Sequence, residues 1–186
     1  MTDPAPTGPP PPGAHPRRTS WALVLALLVY ALDQVTKVLA VAHLEPGVRE
    51  PLVGELLQLH LIRNPGAAFS FATGSTWIFT VLAVAVVLAV LWLVRRLRST
   101  GWAFAFGFLL AGAAGNLTDR LVREPGFARG HVVDFLELPR WPIFNVADAS
   151  ICAAAVLIAV LSLRGVNLDG TREQRSARGA GEGSRA

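Results

Sequence analysis

Four aspartates, Asp33, Asp119, Asp134 and Asp148, lie in or at the edge of long apolar stretches, with Glu137 close to one of them. A carboxylate near the centre of a bilayer costs about 2.5–3.5 kcal/mol on insertion scales, so its presence there points to a task. Two stand out: Asp134 in Val132-Val133-Asp134-Phe135 and Asp148 in Phe144-Asn145-Val146-Ala147-Asp148. Paired carboxylates can share one proton and do acid–base work on a water and a carbonyl. The same residues also fit other readings: a proton-coupled carrier, an oxygen-ligand metal site with Asp119 as third donor, or a satisfied polar network in a scaffold.

Composition says what must position them. The 186 residues are 52% hydrophobic and 16% charged, with a mean hydropathy of +0.45. Four apolar runs, at about 21–42, 76–94, 102–122 and 144–163, explain these values. Each has roughly the 20 residues a helix needs to cross a ~30 Å hydrocarbon core. The expectation is an all-α membrane protein, a four-helix bundle over residues 21–164. Residues 1–20 are Pro-rich and residues 165–186 are rich in Gly, Arg and Ser, so both are expected to be disordered tails. The pI of about 10.5 does not indicate nucleic acid, because the basic residues flank spans and form no aromatic-interleaved patch. Arg17, Arg18, Arg95, Arg96, Arg98 and Arg164 fall at alternate span ends, which puts both termini in the cytoplasm. Arg17-Arg18 and Ala40-Val41-Ala42 also bracket the first run as a cleavable leader would. The charged Asp33 and Lys37 inside that run, and three spans after it, favour a retained helix.

The expected loops between spans contain strand signals. Residues 55–63 alternate in part at Gln58, His60 and Ile62, Asn64-Pro65-Gly66 forms a turn, and residues 66–71 could return as a second strand. Residues 131–138 are a further candidate. His60 and His131 read as solvated or hydrogen-bonded loop histidines. The single cysteine, Cys152, excludes an intrachain disulfide and reads as a small buried hydrophobe.

Helical spacing brings polar groups together. Tyr30, Asp33 and Lys37 share a face of the first span, with Asp33 and Lys37 spaced for an i,i+4 ion pair. Gly112, Asn116, Asp119 and Arg120 share a face of the third, and Asn145, Asp148 and Cys152 one of the fourth. At ~1.5 Å per residue, Asp33 lies roughly 18 Å, Asn116 roughly 21 Å and Asp148 roughly 24 Å from the cytoplasmic edge. All fall in the outer half of a ~30 Å core, within a few ångströms of its outer third. Gly112 and Gly115, among alanines, would let the third span approach its neighbours closely.

The series Asp33-Gln34-Val35-Thr36-Lys37, Asn64-Pro65-Gly66-Ala67-Ala68-Phe69, Gly112 through Arg120, Val132-Val133-Asp134-Phe135 and Phe144 through Asp148 resembles lipoprotein signal peptidase (signal peptidase II) over about residues 21–164. That resemblance implies an intramembrane aspartyl protease of the bacterial cytoplasmic membrane, cutting prolipoproteins just before a diacylglyceryl-modified cysteine. It implies Asp134 and Asp148 as the catalytic pair. Asp33, Lys37, Asn64, Asn116, Arg120 and Asn145 would support the site or the substrate. It further implies a small extracytoplasmic β element that cradles the substrate, and a site near the extracytoplasmic face. Asp119 joins this set as a span-end group beside Arg120. The expected partners are lipid-modified prolipoproteins and membrane lipids, with a monomer, no cofactor, no metal and no nucleic acid.

Overall fold

The computed structural model describes residues 17–66 and 76–172. Four helices, α1 (Thr19–His43), α2 (Thr76–Val94), α3 (Thr100–Val122) and α4 (Val146–Leu163), are each long and apolar enough to cross a membrane. Strands β1 (Arg49–Val53), β2 (Leu57–Asn64) and β3 (Val132–Glu137) form one antiparallel sheet in the order β1-β2-β3.

Local chemistry sets the boundaries. Pro46 and Gly47 follow α1, and Pro125 and Gly126 follow α3, so neither helix can continue. α4 begins at a reciprocal cap: Asp148 N–H donates to Asn145 Oδ1 at 2.9 Å, and Asn145 N–H donates to Asp148 Oδ2 at 3.2 Å. It ends where Gly165, at φ 61°, lets Val166 N–H reach back to Leu161 O at 3.0 Å.

α3 is the central helix. Half of its most apolar window is buried, against about a fifth for the other three. Its glycines make the close approaches possible. A methyl group at Gly115 would sit 2.5 Å from Asp33 Oδ2, and one at Gly112 would be 2.7 Å from Ser150 Oγ and collide with Ala147 O. α1 and α4 can therefore lie against the α3 backbone. At one end of the bundle, Ala22, Val94, Leu97, Trp102 and Phe106 form the main apolar core. At the other end, Ala40, Leu61, Val133 and Phe135 tie the sheet to α1, with Val146 packed against them. Leu136 and Phe144 exchange N–H···O bonds of 2.8 and 2.9 Å, which closes the loop between β3 and the start of α4.

Several expectations need correction. β1 was not anticipated: its five residues are all exposed, with Pro51 in the middle, so no alternation marks it. A return strand over 66–71 lies outside the described residues beyond Gly66, as do Ala67-Ala68-Phe69 of the turn motif, residues 1–16 and residues 173–186. Residues 165–172, assigned by composition to a disordered tail, are ordered. Val166 and Leu168 pack on the core, Trp102 Nε1 donates to Val166 O at 2.7 Å, and the N–H groups of Arg98 and Ser99 donate to Leu168 O at 3.0 and 3.2 Å. Two apolar side chains in a Gly/Arg/Ser-rich segment suffice because its carbonyls also accept from the backbone just before α3 and from the Trp102 indole. Cys152 is exposed, since α4 buries Ala147, Ser150 and Ala154 instead.

Gly112→Val should force α4 away from α3. The expected loss is about 1–3 kcal/mol of stability, read as a lower thermal transition in detergent, with activity lost in parallel; an unchanged transition would contradict the close packing.

Candidate active site

The polar residues converge at the sheet end of the bundle around one amine. Lys37 is fully buried and its Nζ donates to Asp33 Oδ2 at 3.0 Å, Asp119 Oδ2 at 2.8 Å and Asn116 Oδ1 at 3.0 Å. An ammonium has three protons, and all three are used. Arg123 Nε adds a second cation on Asp119 Oδ1 at 2.5 Å, so this cluster contains two positive and two negative groups. Matched charge and full hydrogen bonding reduce the cost of burying it.

The two carboxylates of that cluster each hold a backbone N–H beside one of the candidate aspartates. Asp33 Oδ1 accepts from Ala147 N–H at 2.8 Å, one residue before Asp148. Asp119 Oδ2 accepts from Val133 N–H at 3.2 Å, one residue before Asp134. Gln34 Nε2 braces Asp33 from the side, donating to Asp33 Oδ2 at 3.0 Å and to Gly115 O at 3.2 Å. The sequence signals for Asp119 as a buried group and for Arg123 were weak. Arg123 nonetheless stands at i+4 from Asp119, the same spacing that pairs Asp33 with Lys37.

Asp134 and Asp148 come from different elements, β3 and the first turn of α4, and meet across Asn145. The Asn145 amide donates to Asp134 Oδ1 at 2.6 Å, while its main-chain N–H donates to Asp148 Oδ2. Asn64 Nδ2, at the end of β2, donates to Asp134 Oδ2 at 2.8 Å, and Asn116 Nδ2 donates to Asp148 Oδ1 at 2.8 Å. Each carboxylate thus has both oxygens fixed by asparagine donors. Asp134 is 1% exposed and Asp148 is half-buried. Burial pushes Asp134 up to about 6, with the neighbouring Asp148 charge adding to the rise and the Asn64 and Asn145 amides opposing it. Arg120 lies within electrostatic reach of Asp134, Asp119 and Asp148, its guanidinium carbon 5.2 Å from the centre of the Phe79 ring. Its Nη1 is buried without a hydrogen-bond partner among the described residues. Among the described residues, no three carboxylate, imidazole or thiol groups are placed to hold a metal ion.

Of the sequence candidates, Asp33, Lys37, Asn64, Asn116, Asp119, Asp134, Asn145 and Asp148 form one connected hydrogen-bonded network, and Arg120 stands beside it. His60 lies apart, bonded through Nδ1 to Glu137 at 2.8 Å, where Arg49 also makes a two-pronged ion pair. That pairing holds Glu137 below the usual carboxylate range. Glu137 faces solvent-side partners and is no member of the network.

The family model for signal peptidase II matches residues 25–164, a stretch that contains every one of these network residues. The chain belongs to the signal peptidase II family. It is 51% identical over 171 residues to the lipoprotein signal peptidase of Rhodococcus jostii (strain RHA1), covering 92% of this chain and 86% of that protein. It is 51% identical to that of Leifsonia xyli subsp. xyli (strain CTCB07) over 88% of this chain and 76% of the other, and 50% identical to that of Mycobacterium avium (strain 104) over 87% and 89%. A solved bacterial membrane enzyme, determined by the in meso method at 1.9 Å, superposes with a TM-score of 0.71 at 27% identity, over 78% of this chain and 94% of that one. As a signal peptidase II, the protein is a protease, and its four apolar helices are those of a membrane protein.

Lys37→Met would leave Asp33 and Asp119 facing each other without their shared cation. The expected cost is about 3–5 kcal/mol, seen as loss of the folded species on size-exclusion chromatography or a collapsed thermal transition. A variant with wild-type stability would remove Lys37 from the centre of the site.

Proposed function

We propose that Asp134 and Asp148 act as a catalytic aspartate pair. On this reading the pair hydrolyses the peptide bond before the lipid-bearing cysteine of diacylglyceryl-modified prolipoproteins. The observation behind this reading is the placement of both carboxylates on a single residue, Asn145, with each remaining oxygen oriented by a further asparagine. Two carboxylates bonded to one residue, with the charge of one acting on the other, favour a state with one shared proton, which titrates as a property of the pair. The ionised member takes a proton from water as the water oxygen attacks the scissile carbonyl carbon. The protonated member polarises the carbonyl oxygen. When the tetrahedral species collapses, the C–N bond breaks, the leaving nitrogen receives a proton, and the pair returns to its one-proton state. Arg120 Nη1, buried and without a hydrogen-bond partner, is suited to a substrate carbonyl or lipid phosphate oxygen.

The orientation that fits this role puts the sheet and the site at the extracytoplasmic side and both termini in the cytoplasm. It is supported by the arginines flanking α1, α2 and α3 at the opposite end of the bundle. Both carboxylates come from one chain, so a monomer is sufficient for activity.

Purified protein incubated with a diacylglyceryl-modified prolipoprotein should release signal peptide, and Asp134→Asn and Asp148→Asn should each reduce turnover at least ~10³-fold while keeping the thermal transition. Chelator should leave the rate unchanged, and an unlipidated substrate should be cut poorly. Full turnover in either variant would exclude that residue, and loss of activity on chelation would favour a metal enzyme.

The proton of the pair is held up to about 6 at Asp134, so kcat/KM should fall as pH rises beyond that range. Asn64→Leu removes a donor that stabilises the ionised form, and should move this alkaline limb to higher pH. A limb that stays in place would detach Asn64 from the titration. Stability follows the same sign: Asp134 contributes least once pH has risen through its folded-state value, because the unfolded carboxyl ionises near pH 3.9.

A further inference from the structure

The end of the bundle opposite the sheet has a charge that nothing among the described residues balances. The described residues there include seven arginines and one carboxylate, Asp169. Asp169 Oδ1 is already engaged by Thr171, through its N–H at 2.9 Å and its hydroxyl at 2.7 Å. The start of α1 and the segment after α2 adjoin at this end: Arg18 N–H donates to Leu97 O at 2.9 Å and Thr19 Oγ1 donates to Val94 O at 2.8 Å. The side chains of Arg18, Arg95 and Arg96 therefore emerge from neighbouring backbone. None of the three forms an ion pair among the described residues. Arg18 Nε is moreover buried with no hydrogen-bond partner among the described residues.

Two tryptophans fix the depth of this cluster. The Arg18 guanidinium lies 5.9 Å from the Trp21 ring centre, and that of Arg96 lies 4.3 Å from Trp92. Trp21 and Trp92 are 55% and 54% exposed on helices long enough to cross a membrane, so their free faces meet lipid. Tryptophan in that position sits at the level of the headgroups. An anion that neutralises these arginines is therefore at hand in the bilayer surface itself, as a phosphodiester.

We propose that this end of the bundle binds the phosphate of an anionic phospholipid between Arg18, Arg95 and Arg96, with Trp21 and Trp92 flanking it. The buried Arg18 Nε supplies a directed donor, and the exposed arginines supply charge. The bound lipid bridges α1 and α2, two helices that each pack on α3 and adjoin one another chiefly at this rim. Occupancy stabilises the fold without touching the hydrolytic site.

The test compares thermal unfolding of the full chain in neutral detergent micelles doped with phosphatidylglycerol or with phosphatidylcholine. Phosphatidylglycerol should raise the transition by roughly 4–8 °C, as expected for two neutralised arginines, and phosphatidylcholine should not. The double variant Arg18→Gln/Arg96→Gln should keep the phosphatidylcholine value and lose most of the rise, whereas Arg164→Gln/Arg172→Gln should retain it. An equal rise with phosphatidylcholine, a rise intact in the first pair, or the same loss in both pairs would overturn the site. Should the first pair fail to fold, native mass spectrometry of the unmodified protein from a mixed micelle decides. Selective retention of phosphatidylglycerol supports the proposal, and equal retention of both lipids refutes it.

Discussion

A buried ammonium with exactly three acceptors is the constraint on which the site depends. Lys37 takes one oxygen each from Asp33, Asp119 and Asn116, and so joins α1 to α3 at two positions. The free oxygen of Asp33 and the shared oxygen of Asp119 then reach beyond α3, to main-chain N–H groups of α4 and β3. Those contacts set the heights of Ala147 and Val133, and hence of the aspartates that follow them. The proposed hydrolytic pair is thus positioned through the backbone, by charges that do not themselves take part in the proposed chemistry.

Asparagine has a distinct role in this scheme. It presents donor and acceptor on one short, rigid group, and Asn116 uses both: its oxygen accepts from Lys37 and its amide donates to Asp148. Asn145 links Asp134 to Asp148 and caps α4 with the same side chain. Replacing an asparagine here removes a structural bond and, on the proposed reading, the orientation of a catalytic carboxylate together. Neutral donors also leave the proton affinity of Asp134 high. Burial dominates at Asp134, and the amides offset it only in part.

Much of this was legible in the sequence because membrane spans expose their exceptions. Apolar runs located four helices, and the i,i+4 spacing of Asp33 and Lys37 gave their pairing. Gly112 and Gly115 marked the close approach of α3. The site residues were legible as a set, but their connections were not. The bonds from Asp33 to Ala147 N–H and from Asp119 to Val133 N–H use backbone donors, which have no side-chain signature. β1 was invisible because every one of its residues is exposed, so burial imposes no alternation on it. The ordered turn at residues 165–172 was hidden by composition: its structure rests on two apolar side chains and on carbonyls that accept from Arg98, Ser99 and the Trp102 indole.

The ion pairs Asp33–Lys37 and Asp119–Arg123 each join residues four apart, the first within α1 and the second between the last turn of α3 and its C-cap residue. During biogenesis α1 can therefore enter the bilayer with its charges already compensated, before α3 has been synthesised, and α3 can do so with its own pair. Only when both are in place does Lys37 reach across to Asp119. For these two pairs, helix-by-helix insertion delivers each carboxylate with its own cation, although the finished enzyme contains a charge cluster that no single span could support.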